Sequence, residues 1–352
     1  MMRPVFRALQ LFTVLLLTTV GGTAEERVEF VVGELRTEEG GSWDTKKSPL
    51  KRPFGIAFNS KGIGFVVELE GGRVFELSRK HELSQISGDG SRSYEGDGQP
   101  ATKATYNGMH NCAITPNGDL LIGDTWNHCV RRIDARTGLV STWAGNGKAA
   151  FAGDGRRRRD ASFNFVMCIT LNADSSALHI ADLKNRRIRA VDVTSGIVTT
   201  VAGNGEKGVP ADGARATEAP LVDPRAVAAD SKGQVYILER GGNALRVVRT
   251  DGTIKTVAGT GKRGFADGPA LQAQFGSPKH ICVDSRDNVY IADDQNGAIR
   301  KYDPVSQTVS TVLGRGIGHK QIRLLNPHGV CVYGQWLYVM DTSHNRILRV
   351  RL

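Results

Sequence analysis

Two imidazoles, a guanidinium and an ammonium (His110, Arg225, Lys279 and His328) occupy one equivalent position in a segment that this chain repeats six times. Phe54 and Met167 complete the column. Cations gathered at a partly desolvated opening make an anion site, suited to the carboxylate or sulfate of a small ligand or to an acidic side chain of a peptide or glycan partner. Imidazoles could instead hold a metal, and the available set is His110, His328 and His280. Catalytic zinc wants three protein ligands and an open position. His280 lies one residue beyond Lys279, where strand alternation turns it away from the column. The expectation is therefore a cationic ligand site with no cofactor, with zinc or calcium as the ion if one were held.

A second basic feature is the run Arg156, Arg157, Arg158 and Arg159, which falls in a connecting loop. Four adjacent guanidinium groups could meet a polyanion such as an acidic glycan. No aromatic platforms are interleaved with them, so nucleic acid is not expected.

The element that must position these residues is the repeat. Its anchor is an acid, at Glu68, Asp124, Asp182, Glu239, Asp293 and Asp341, with spacings of 56, 58, 57, 54 and 48 residues. A period of that size with strand-like content points to a solenoid or propeller. In the fourth copy, Pro224 to Asp230 is a short apolar run, Gln234 to Glu239 a β-branched and aromatic one, and Ala244 to Arg249 a third. Thr253 to Gly259 then alternates polar and apolar, and turn residues such as Thr250-Asp251-Gly252 separate the runs. Four short strands joined by tight turns make an antiparallel meander. One such sheet cannot bury both faces alone, whereas a ring of them can.

The last copy stops at Leu352 after its third strand, and Arg27 to Gly33 matches the missing fourth. The prediction is an all-β, six-bladed propeller whose N-terminal strand completes the last blade and leaves no open sheet edge. In this arrangement the first strand of each blade lines a central channel, and the column of His110, Arg225, Lys279 and His328 falls at its mouth.

The Asp-x-x-Asn-x-Arg-Ile-Arg stretch beginning at Asp182, the Pro-x-Gly opening at Pro327-His328-Gly329, and linkers such as Ala144-Gly145-Asn146-Gly147 resemble NHL repeats. The resemblance extends over about residues 27–352 and is closest to the type found in secreted bacterial proteins. It implies the propeller and leaves function open, since such propellers host binding, scaffolding and enzymatic roles. Pro327-His328-Gly329 also resembles a motif of the six-bladed peptide amidating lyase, in which three histidines hold zinc. More distantly, the chain resembles gluconolactonase-like propellers. These likenesses imply a metal-dependent lyase or lactone hydrolase as the alternative to a binding module.

Repetition explains most other tempting residues. The six anchor acids, the asparagines at 127, 185, 243, 296 and 345, and the arginines at 131, 189, 246, 300 and 349 are expected to serve turns and ion pairs. Gly-Asp-Gly segments such as 153–155 lack the further acids a calcium loop needs. Cys112, Cys168, Cys282 and Cys331 share one strand of different repeats, and with Cys129 make an odd count. They read as small buried hydrophobes and not as a disulfide framework.

Residues 1–24 carry Arg3 and Arg7, an apolar run from Ala8 to Val20, and small residues before Glu25. They read as a secretory signal, too short for a comfortable membrane span. The expected product is a monomeric single propeller, residues 25–352, secreted or periplasmic. Its formal charge of +10 becomes +8 without Arg3 and Arg7, too diffuse to name a partner.

Overall fold

Four-stranded antiparallel meanders form wherever the turn residues predicted them. The computed structural model describes residues 27–33 and 48–352 and contains six such sheets arranged as a propeller. The expected signal segment lies outside the described residues. In the fourth blade the strands are Pro224–Ala229, Val235–Glu239, Ala244–Val248 and Thr253–Ala258, as the alternation and turns require. Short two-residue strands, Ala214–Arg215 and Gly268–Pro269, add a fifth member to the fourth and fifth sheets. The sixth sheet takes its outer strand from Val28–Val32, which pairs antiparallel with Arg346–Arg351. The ring is closed by the N-terminal strand.

The anchor acids are structural, though their partners differ from a simple turn. Each accepts a hydrogen bond from a backbone amide in the loop before its own blade's first strand: Asp124 from Asn107, Asp182 from Asn164, Asp341 from Leu325. Each also receives an arginine, as in Arg300 Nη1 to Asp293 at 2.8 Å and Arg346 Nε to Asp341 at 2.7 Å. One carboxylate thus fastens the incoming loop to the second strand. The Gly-Asp-Gly acids share this work, with Asp97, Asp154 and Asp267 meeting Arg131, Arg189 and Arg300. In the last blade the anchor's arginine is Arg346, while Arg349 pairs with Glu29 of the closing strand. The asparagine column also divides. Asn127, Asn185 and Asn296 donate to the anchor acid, whereas Asn243 and Asn345 take left-handed conformations and accept from the loop backbone.

Apolar clusters fill the spaces between blades. All five cysteines are free thiols; Cys112, Cys129 and Cys168 are buried, while Cys282 and Cys331 are only partly so. Among the described residues no helix is long and apolar enough to cross a membrane.

Candidate functional site: the channel mouth

The first strands of the blades (Pro53–Phe58, Met109–Ile114, Val166–Leu171, Pro224–Ala229, His280–Val283 and Pro327–Tyr333) surround the channel. In five of them the register slips across the column residue itself, at Phe54, His110, Met167, Arg225 and His328. Such a bulge sets two residues against one on the partner strand and re-aims their side chains. The column residue and its successor then both face the lumen.

Three of the four sequence-predicted residues come together around Phe54, and Lys279 is linked to them through Asp294, which it shares with His328. The His110 ring centroid lies 4.5 Å from that of Phe54, the His328 centroid 4.8 Å away, and the Arg225 guanidinium 5.9 Å away. Phe54 can reach across because Gly55 and Gly329 let neighbouring strands close in. A Cβ at Gly55 would sit 2.8 Å from the Asn111 Cα, and one at Gly329 would run into the Phe54 carbonyl. His110, Arg225 and His328 are all buried. The mouth is therefore a packed cluster around a buried phenyl ring, called the socket below, and not a wide wet opening.

The charges within it are unevenly matched. Asp294, which sequence reasoning passed over, is buried 3.4 Å from both Lys279 Nζ and His328 Nε2 and accepts from Asn326 Nδ2 at 2.9 Å. Burial works against its charge, but His328 and Lys279 hold the carboxyl below the usual range. Asp294 follows an anchor acid, in a column that elsewhere reads Leu69, Thr125, Leu183, Arg240 and Thr342. That break was the available signal, hidden behind the adjacent Asp293.

Among the described residues Arg225 has no carboxylate in contact. Its Nη1 lies 3.7 Å from the Met167 sulfur, a weak acceptor, and Asp223 is taken by Arg240 at 2.9 Å. Burial, reinforced by the nearby Arg240 charge, pulls its pKa down to about 9. His110 is driven well below its ordinary value by burial and by Arg225. Its Nδ1 lies 2.7 Å from the Gly108 carbonyl and 2.9 Å from Thr125 Oγ1, which itself donates to the Val166 carbonyl. Nδ1 is thus the protonated nitrogen, leaving Nε2 as an acceptor. His328 Nδ1 is buried without a partner among the described residues.

The three imidazoles do not converge. Phe54 is in ring contact with both His110 and His328, and His280 lies in the next layer with Nε2 3.6 Å from Cys168 Sγ. Contrary to the alternation argument, His280 does face the lumen: the Lys279 amide donates to the Ala292 carbonyl while His280 is itself paired with Ala292, so both residues stand against one. Among the described residues no cluster of three or more His, Cys, Asp or Glu is arranged to hold a metal.

The arginine run stands apart from the socket and is divided. Arg158 stacks on Trp143 at 4.4 Å, and Arg159 donates to the Thr142 carbonyl with Asp97 at 3.9 Å. Arg156 and Arg157 are exposed.

Comparison with known proteins gives the fold a lineage. A family model described as the Teneurin NHL domain matches residues 194–267. The protein SUPPRESSOR OF QUENCHING 1, chloroplastic, of Arabidopsis thaliana is 28% identical over 72% of this chain and 25% of its own length. NHL repeat-containing protein 2 of Bos taurus is 24% identical over 70% of this chain and 39% of its own length. The chain thus spans well under half of either relative. Among solved structures, an auxiliary nutrient binding protein from Bacteroides thetaiotaomicron superposes with a TM-score of 0.64 at 14% identity, covering 92% of this chain and 75% of that one. Virginiamycin B lyase from Staphylococcus aureus gives 0.55 at 15% identity, covering 86% and 95%. At such identities these structures share the fold alone.

Proposed function

Because this chain is an NHL-repeat six-bladed propeller, a fold that does not fix an activity, we propose its function from the socket: it is a rigid binding module that takes a small anionic ligand, or an acidic side chain of a partner, on Arg225. The observation that carries this reading is a buried guanidinium with a thioether and a phenyl ring for company and, among the described residues, no carboxylate in contact. A buried charge without a counter-charge is costly, and a ligand carboxylate would supply two charge-assisted hydrogen bonds in a fixed fork geometry. His110 Nε2 stands ready to accept from a hydroxyl or amide of the same ligand. Lys279, held by Asp294, adds positive potential without being free to pair.

The alternative of a metal-dependent lyase or lactone hydrolase gains no support from the geometry, since its three histidines are divided between two layers. The nutrient-binding description of a fold neighbour is consistent with capture rather than turnover. On the signal-like residues 1–24 we place the module outside the cytoplasm. The mass of the exported chain tests this, because cleavage before Glu25 is expected.

Calorimetric titration of the full chain with small carboxylates and with sulfate tests the site. Wild type should bind at least one of them with one-site stoichiometry, and Arg225→Met should lower that affinity about a hundredfold, the effect of losing a desolvated charge pair. Affinity that survives the substitution would remove the socket from consideration.

A further inference from the structure

The channel does not run through the molecule. Beneath Phe54, His280 of the fifth blade reaches to within 3.6 Å of Cys168 Sγ on the third, and Asn111 Nδ2 of the second lies 3.4 Å from the same sulfur. All three side chains are buried. Beyond this floor, where the inner strands end, the lumen opens into a cup of about 460 Å³.

The cup exists because one position in every inner strand is small: Ala57, Ala113, Thr170, Ala228, Cys282 and Cys331. Members of that column, such as Ala113 and Ala228, also touch the clusters between blades. The preceding position (Ile56, Cys112, Ile169, Val227, Ile281, Val330) supplies the contacts between blades. The layer above fills the same lumen with His280, Asn111 and Cys168, so the room is a matter of side-chain choice.

The chemistry of the lining is neutral. No lysine or arginine lines it. Its rim acids are occupied: Asp230 holds Gln234 and the amide of Lys232, and Asp284 holds Asn288, Tyr290 and the amide of Arg286. At the floor, Asn111 is saturated by the Ile169 carbonyl and the Cys112 amide. His280 is not. Among the described residues its Nδ1 has no well-formed hydrogen bond, and the Val330 backbone offers the ring only a poorly formed one. Buried polar atoms left in this way call for a partner.

We propose that this cup is a second ligand site, which takes an uncharged, mainly apolar molecule about two rings in size, with one polar group turned towards His280. A cavity of ~150 Å³ already accepts benzene, so the volume suits a bicyclic body. A charged body would be desolvated with no counter-charge to meet it. The site is independent of the Arg225 socket, since the His280–Cys168–Asn111 layer lies between them.

The test uses 2-naphthol and naphthalene-2-sulfonate, which share an apolar body and differ in charge. In the Arg225→Met chain, where the socket cannot take the sulfonate, calorimetry should show one-site binding of 2-naphthol and at least tenfold weaker binding of the sulfonate. Ala228→Phe and Cys331→Phe should each fill the cup and lower naphthol affinity more than tenfold. His280→Leu should weaken it about tenfold, the effect of one hydrogen bond. Bound 2-naphthol should also slow alkylation of Cys282 and Cys331 in the unmodified chain, a readout that survives if either filling variant fails to fold. Equal affinity for the two probes, or naphthol binding with no protection of either thiol, would overturn the proposal, as would the absence of saturable binding. Loss of carboxylate binding in Arg225→Met with naphthol binding intact would leave both sites standing.

Discussion

Replacing Arg225 by Met should make the protein more stable while it destroys anion binding. Burial pulls the Arg225 pKa down from the ordinary guanidinium range to about 9. At ~1.36 kcal/mol per pKa unit this corresponds to roughly 5 kcal/mol held against the folded state at neutral pH. The side chain is buried, so solvent screening takes little from that figure. Methionine packs in similar volume without the desolvation cost, and exchanges of this kind recover about 1–4 kcal/mol. A gain of about 2 kcal/mol would raise Tm by about 4 °C in a chain of this size. The pH dependence has a definite sign. The folded-state pKa lies below the unfolded one, so above about pH 9 the unfolded chain holds more protons until its own guanidinium titrates. Wild-type stability therefore recovers relative to the variant as pH rises above about 9, and the gap between them narrows. Thermal denaturation of both chains from pH 7 to pH 10.5, with carboxylate titration at pH 7, reads all three effects. A variant less stable than wild type by about 2 kcal/mol would show that Arg225 is a structural residue and that its burial was misjudged.

Asp294→Asn removes the carboxylate shared by Lys279 and His328, so it should destabilise the fold by about 1–3 kcal/mol and strengthen carboxylate binding severalfold, measured by melting and calorimetry. Burial pushes His179 and His280 to about 4, below their unfolded value of 6.5. Each should then take about 2 kcal/mol from stability as pH falls from 7 to 5, and His179→Gln should remove that one contribution, measured by urea titrations at the two pH values. Arg189→Ala strands Asp154 and the buried Asp182, and should cost about 3–5 kcal/mol in urea unfolding, far more than an exposed change such as Arg156→Ala. Deleting residues 27–33 should expose the edge of the last blade, giving a lower melting transition and concentration-dependent association by light scattering.

The ring was legible because its rules are local and repeated. Turn residues, alternation such as Thr253 to Gly259, and a missing fourth strand matched by Arg27 to Gly33 each predict one piece, and all agree. The column of His110, Arg225, Lys279 and His328 stood out because repetition explains its neighbours and not it. What remained hidden is tertiary. Strict alternation placed His280 outside the lumen, and what brings it back is that Lys279 and His280 both stand opposite Ala292 of the next strand, which the inner strand alone does not announce. Asp294 escaped because it adjoins an anchor acid of the same type. The closure of the mouth by Phe54 depends on Gly55 and Gly329 from two different blades, a proximity that only the assembled ring creates. Small residues at Ala57, Ala113 and Ala228 look like ordinary strand filler until the lumen beside them is seen to be open.

The central claim is that a ligand carboxylate sits on the Arg225 guanidinium. The Nε–H resonance of that side chain, assigned by its loss in Arg225→Met and followed during titration with the carboxylate that calorimetry identifies, tests this most directly. The account predicts a shift that saturates with the calorimetric affinity, at one ligand per chain. A ligand that saturates the protein while the Arg225 resonance stays fixed would contradict it.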